Sequence, residues 1–328
     1  MKVLITGGAG FIGSHLVEHF QGKAEVRVLD NLRSGYRKNM DGFKVEFIEG
    51  DILDRSAVRE AVKGIDYIFH LAAMISVPES MFKPIECVDI NVKGLLIVLE
   101  EAAAAGVKKL CFSTSAAIYG DNPVVPKREE MLPEPKSPYA ITKLDGEYYC
   151  NMFTQEGKLQ TACMRYFNVF GPRQDPNGPY AAVIPKWIDA MIKGQPICIN
   201  GDGETSRDFC YVNNTVQANL LAADWLADPA HQTLVPSAQV FNVAAGGRTT
   251  LNQLFYLLRD ELVVTHPSLA GSLPVYGPFR AGDVRHSQAD VRQIQDTLAY
   301  LSTQDLAEGL KEFLPQYLKS LCCTQSKR

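Results

Sequence analysis

The sequence has little imbalance of charge: 33 Lys and Arg stand against 37 Asp and Glu, a formal net charge of -4 with a pI near 5.9. Without a basic excess there is no electrostatic footprint for nucleic acid or an anionic membrane, so an anionic ligand must be met by local arginines. No apolar run approaches the roughly 20 residues that a membrane span needs. The opening "MKVLITGGAGFIG" lacks the basic segment and small-residue cleavage site of a signal peptide, and a strand is expected from Val3. Metal-ligand spacing is missing as well. The eight cysteines (Cys87, Cys111, Cys150, Cys163, Cys198, Cys210, Cys322 and Cys323) predict reduced core thiols in a cytoplasmic protein, with no metal and no disulfide. The last two fall in the polar stretch 321–328, "LCCTQSKR", for which disorder is expected. Internal repeats and low-complexity tracts are lacking too.

What is present is an ordinary globular composition, 46% hydrophobic and 21% charged over 328 residues, enough for one large core or two unequal ones. The segments "KVLITG", "EVRVLD", "VEFIEGD", "DYIFHLAA", "KLCFSTS" and "TACMRYFNVFG" read as strands separated by helical stretches such as "GSHLVEHFQG" and "NVKGLLIVLEEAAAAGV". That alternation predicts an α/β protein with a parallel sheet covered on both faces. After Gly171 the alternation becomes irregular, and "QVFNVAAGG" resembles a late strand returning to the sheet. The expected division is a nucleotide-binding domain over 1–170 plus about 208–245, a smaller mixed α/β cap over about 171–207 and 246–320, and the tail.

Gly7, Gly10 and Gly13 fall at the first strand-to-helix turn, where glycines let a pyrophosphate approach backbone amides at a helix N-terminus. Asp30 closes the next strand and is placed to hold an adenosine ribose 2′-hydroxyl, which favours NAD over NADP and a Rossmann doubly wound fold. Asp51 in "GDI" has two readings, acceptor for an adenine amino group or plain turn residue. In "SPYAITK", residues 137–143, Ser137 is suited to cap a helix and Pro138 to begin it. Tyr139 and Lys143 then share a face in the first turns. A phenol that acts as a base at neutrality needs about three pKa units, roughly 4 kcal/mol, of help from neighbouring positive charge.

The GxxGxxG turn, "LAA" at 71–73, Asn91 in "DINVKG", Ser115 in "STSAAIYG" and the Tyr139-xxx-Lys143 pair together resemble the extended short-chain dehydrogenase/reductase family, specifically its nucleotide-sugar 4-epimerases. The resemblance covers essentially the whole chain up to the tail and is closest to the UDP-N-acetylglucosamine 4-epimerase branch. It implies catalytic roles for Ser115, Tyr139 and Lys143, with Lys143 binding nicotinamide ribose and lowering the tyrosine pKa. It implies an NAD site drawn from Gly7, Gly10, Phe11, Ile12, Gly13, Asp30, Asn31, Asp51, Ile52, Leu71, Ala72, Ala73, Asn91, Ser113, Tyr139, Lys143 and Tyr166. For a UDP-sugar it implies Ser115, Tyr139, Asn168, Val183, Ile199, Asn200, Arg207, Arg285 and Ser287. In that scheme Asn168, Arg207 and Arg285 meet the diphosphate, although either arginine also reads as an exposed surface charge. A homodimer built on the helices around 91–106 and 137–153 is likewise an implication of resemblance.

Related dehydratases and decarboxylases carry acidic residues just after the catalytic serine or threonine, where this chain has Ala116 and Ala117, so general acid-base chemistry beyond the tyrosine has no group there. In the family a tyrosine at the place of Ser287 excludes an acetamido group; serine leaves room for one, which points to UDP-GlcNAc and UDP-GalNAc. UDP-glucose and UDP-glucuronate-type sugars stay open, as does a non-catalytic NAD-binding regulator, a class that typically lacks the Tyr-Lys pair. His15, His70 and His286 are read as structural, and "VPKREEMLPEP", 125–135, as a solvated surface loop.

Overall fold

The structure, a computed structural model, describes residues 1–175, 182–228, 238–279 and 284–325, with side chains as far as Lys319. Strands β1 (Lys2–Thr6), β2 (Glu25–Asp30), β3 (Glu46–Glu49), β4 (Tyr67–His70), β5 (Lys109–Ser115) and β6 (Gln160–Tyr166) lie where the β-branched and aromatic runs predict them. The short strands β7 (Val169–Phe170), β8 (Cys198–Asn200), β9 (Ser206–Arg207) and β10 (Cys210–Tyr211) precede β11 (Gln239–Val243), the returning strand. Among the described residues, seven strands pair in parallel in the order β11-β6-β5-β4-β1-β2-β3. The order reverses between β1 and β4, and ligands of doubly wound sheets bind in the crevice at such a reversal.

The helices between these strands are α1 (Phe11–His19), α2 (Arg55–Ala61), α3 (Val77–Phe82), α4 (Pro84–Val88), α5 (Gly94–Ala104), α6 (Pro138–Gln155), α7 (Val183–Ile192) and α8 (Val212–Ala227). They are followed by α9 (Leu251–Leu262), α10 (Arg292–Leu298) and α11 (Leu306–Gln325). One apolar cluster, including Val3, Leu16, Phe69, Met164 and Phe241, fills one face of the sheet; another, including Leu4, Ile68, Leu95, Val98 and Phe112, fills the other. This is what strands buried on both sides require. A third cluster, around Trp187, Ile199, Phe255 and Phe313, is the core of the cap.

Two features depart from the sequence reading. Helix α10, in the segment assigned to the cap, packs on β11 and α8, with Ile294 and Leu298 in the core of the sheet. The tail expected to be disordered from residue 321 is helical through Gln325, because α11 continues past it.

Candidate active site

The glycine turn is built around close approach. Gly7 has φ of 71°, and a Cβ there would stand 2.7 Å from the Ala72 nitrogen; a Cβ at Gly13 would stand 2.3 Å from the Gly7 carbonyl oxygen. Larger residues would push the β1 turn off both β4 and α1. Helix α1 begins at Gly10 with no side-chain cap and no acid in its first turn, so its positive end keeps donors for an anion. Phe11 and Ile12 are partly buried against the cap core, which fixes the helix start between the two units.

Asp30 is buried at the end of β2. Its Oδ2 accepts the Ala9 N–H at 2.9 Å and its Oδ1 the Leu32 N–H at 2.8 Å, so one lone pair on each oxygen is left for a ribose. Burial raises its pKa and these two amides oppose the rise. Asp51, just past β3, accepts the Leu53 N–H at 2.8 Å on one oxygen and the Asn31 side-chain amide at 2.8 Å on the other. The turn reading of Asp51 therefore describes half of its bonding. Ile52 is buried against Gly94, while Leu71 and Ala72 are partly buried on opposite faces of the sheet. These residues fit a dinucleotide: an open helix N-terminus for the pyrophosphate lies beside a rigidly held carboxylate for the ribose.

Two residues of the expected cofactor set have side chains tied to protein partners. Asn91 lies in a π-helical turn, Asp89–Lys93, and is buried. Its Oδ1 accepts the Met74 N–H at 2.7 Å, and its Nδ2 donates to Met74 O at 3.1 Å and Thr142 Oγ1 at 3.0 Å. These bonds, with a contact from Nδ2 to Cys87 Sγ at 3.5 Å, tie the loop after β4 to α4 and α6 and leave one lone pair on Oδ1. Tyr166, opposite Ser115 in register, turns to the α8 face, where its hydroxyl donates to Asn219 Oδ1 at 2.9 Å.

The predicted helix start is realised in α6. Ser137 Oγ accepts the Ala140 N–H at 3.2 Å and Pro138 occupies the first turn. Gly146 lets α6 press against β5, since a Cβ there would meet the Phe112 ring at 2.5 Å. Lys143 is therefore buried, 3% exposed, and its Nζ donates to the Ser113 carbonyl at 2.7 Å. The ammonium lies 5.9 Å from the Tyr139 ring centroid and 5.0 Å from that of Phe112. Burial pulls its pKa down to about 8. Burial raises the pKa of the Tyr139 phenol, and the neighbouring Ser115 hydroxyl opposes the rise. Ser115 Oγ accepts the Ala117 N–H at 3.2 Å, which leaves its one proton to donate either to the phenol oxygen or to a substrate oxygen.

The residues expected to meet a UDP-sugar lie on segments of the expected cap. Residues 284–287 run beside β9: Ser206 N–H donates to Arg285 O, and Ser287 N–H donates to Ser206 O, each at 3.0 Å. Arg207 Nη1 donates to Ser206 O and Val284 O. This brings Arg207, Arg285 and Ser287 together on two paired segments. Arg285 is held bidentately by Asp202 at 2.8 and 2.7 Å, so a diphosphate must displace that carboxylate. Asn168 is exposed, with its Nδ2 on Asp208 O and an unusual φ of 28°. Val183 starts α7. Within β8 Ile199 faces the cap core and Asn200 faces solvent, so strand alternation leaves Asn200, and not Ile199, to meet a ligand.

The sequence reading missed the support beneath Ser115. Buried Arg165 grips Glu147 Oε1 and Oε2 at 2.9 and 2.7 Å and donates to the Tyr119 hydroxyl, which in turn donates to Asn242 Oδ1 at 2.7 Å. The loop 125–135, expected to be solvated, is tied into this network. Lys127 is 2% exposed, its N–H donates to Gln288 O, and Glu129 accepts the Asn242 N–H. Asp208 is fully buried and accepts Ala245 and Ala289 N–H groups; burial pushes it up to about 7. A carboxylate inside the apolar run "DFCYV" was the available signal. The histidines are structural as expected: His15 meets Pro172 O, His70 meets Thr6 Oγ1, and His286 meets Ser206 Oγ.

A family model described as the NAD dependent epimerase/dehydratase family matches residues 3–244. The chain belongs to this family. It is 35% identical over 312 residues to a putative UDP-glucose 4-epimerase of Methanocaldococcus jannaschii, covering 94% of this chain and 96% of that one. The solved UDP-glucose 4-epimerase of Thermotoga maritima, with UDP-glucose, is similar at 39% identity and TM-score 0.88, covering 98% and 100% of the two chains. A UDP-N-acetylglucosamine 4-epimerase of Methanobrevibacter ruminantium M1, in complex with UDP-N-acetylmuramic acid, is similar at 37% identity and TM-score 0.87, covering 98% of each. NAD is thus the cofactor of this epimerase/dehydratase family member, and the glycine turn and Asp30 are suited to it.

Lys143 carries a pH signature. Its folded value of about 8 lies below 10.5, so between these pH values the unfolded chain binds the extra proton and this group adds stability as pH rises. Urea unfolding of the wild type and of Lys143→Met should show a stability difference that moves in favour of the wild type from pH 8 to 10.5. A difference that stays flat contradicts the burial of an ammonium here.

Proposed function

We propose that the chain is a UDP-sugar 4-epimerase that interconverts UDP-GlcNAc and UDP-GalNAc through a transient 4-keto sugar. The observation that carries this reading is Tyr139 beside Ser115, with the Lys143 ammonium 5.9 Å from its ring and only Ala116 and Ala117 following the serine. NAD, when bound, supplies a reversible hydride acceptor. Tyr139, as phenolate, takes the proton of the C4 hydroxyl and returns it after the ketone has turned over; Ser115 donates to the C4 oxygen throughout. Lys143 holds positive charge beside the phenol. With methyl groups at 116 and 117, no further acid or base is at hand to expel water or carbon dioxide. In this scheme residues 1–170 with about 208–245 bind the cofactor, while the cap segments carry Arg207, Arg285, Asn168 and Asn200 to the nucleotide and Ser287 to the C2 substituent. The unpaired thiols suit a cytoplasmic setting.

A second reading is UDP-glucose/UDP-galactose epimerisation, favoured by the names of the M. jannaschii and T. maritima proteins. NMR of a substrate panel separates the two. Wild type should interconvert the acetylated pair faster than the unacetylated pair, and Ser287→Tyr should lose the acetylated pair while keeping UDP-glucose. Equal loss of both would refute the pocket assignment. Tyr139→Phe should lower kcat by at least about a hundredfold with NAD still bound; equal inactivity of wild type and variant would leave a non-catalytic NAD-binding protein.

A homodimer is part of the proposal. Phe82 and Ile85 are 79% and 78% exposed, and with Met81, Val88, Ile141 and Tyr148 they make an apolar surface across α3, α4 and α6. On α5 the exposed Glu100 and the buried Glu101 pair with Arg55 and Arg59 of α2, so that face of α5 is covered within the chain. Light scattering should find a dimer, and Phe82→Glu/Ile85→Lys should be monomeric. A dimer that survives the double substitution overturns this surface.

A further inference from the structure

The loop after β2 carries a cation whose engagement has no evident use in the fold. Arg33 follows Asp30 by three residues, in the region from which an arginine accommodates the 2′-phosphate in NADP-binding proteins of this architecture. Here its fork is occupied. Nη1 donates to Glu86 Oε1 at 2.5 Å and Nη2 to Glu79 Oε1 at 2.9 Å. Lys83 Nζ stands 3.3 Å from Glu79 Oε1 and 3.5 Å from Glu86 Oε2. The two cations and two carboxylates form a neutral cluster that joins the loop to α3 and α4. With Ser34, Ala73, Met74 and Ile75 it lines a cavity of about 390 Å³, and Ala73 belongs to the expected cofactor groove. The side chains are 30% to 53% exposed, and exposed pairs of this kind add little to stability. The loop itself is held without them, by Asp30 on the Leu32 N–H and by Asn31 Oδ1 on the Arg33 N–H at 3.0 Å.

We propose that Glu79 and Glu86 are cofactor-specificity residues: by pairing with Arg33 they withhold the one side chain of this loop that could neutralise a 2′-phosphate. Asp30 then repels the phosphate with no compensating cation, so discrimination against NADP has two layers, a carboxylate at the ribose and a restrained arginine beside it. This rests on NAD binding alone and is independent of the sugar.

The test is equilibrium binding of NAD+ and of NADP+ to the full-length protein by calorimetry, with no turnover required. Glu79→Gln/Glu86→Gln should tighten NADP+ relative to NAD+ by about threefold to fivefold, the scale of freeing an arginine from an exposed ion pair. Adding Arg33→Ala to that double variant should return the ratio to that of the wild type. An unchanged ratio in the double variant overturns the proposal, as does a gain that persists without Arg33. Loss of NAD+ binding in the double variant would also overturn it, by making the glutamates supports of the groove.

Discussion

An ammonium group held inside an apolar core is the constraint on which the rest of this site depends. Lys143 reaches its place because Gly146 lets α6 lie against β5, and it stays solvated through a single described hydrogen bond, to the Ser113 carbonyl. Burial works against the charge, yet its pKa of about 8 leaves it mostly protonated at neutrality. The same burial works against ionisation of Tyr139. The protein alone therefore holds a neutral phenol beside a cation 5.9 Å from its ring, a poised pair and not an active base. In the proposed mechanism the remaining positive charge arrives with the cofactor, which would couple proton abstraction to the presence of the hydride acceptor.

Such a pair is useful only if Ser115 and the substrate wall are fixed relative to it. The Arg165–Glu147 ion pair, Tyr119 and Asn242 anchor the turn after Ser115, and Lys127 and Glu129 clamp the following loop over them. Removing one partner of a buried ion pair leaves an uncompensated charge, typically about 3–5 kcal/mol, so this support is expensive to alter. Asp208 performs a parallel service for the cap by joining the end of β11 to the segment just after Ser287. Two buried carboxylates thus hold the two halves of the site from opposite sides.

How legible this was in the sequence follows from how local each signal is. The strands, the glycine turn and the Ser137–Pro138 helix start are encoded by short-range chemistry, and the structure places them as expected. Long-range partners decided the rest. The ties of Asn91 to Met74 and Thr142, the inward face of Ile199 and the grip of Asp202 on Arg285 are all set by such partners. The loop 125–135 has a solvated composition, and only its contacts with 242 and 288–290 reveal a clamp.

If Tyr139 becomes a base only when a cofactor cation joins Lys143, ultraviolet titration of its phenol, with Tyr139→Phe as the reference, should differ between cofactor-free and NAD+-bound protein. The expected result is a phenol above its ordinary value of 10.0 without NAD+ and a clear downward shift with it. A phenol already depressed in the cofactor-free protein, or one that NAD+ leaves unmoved, would contradict it.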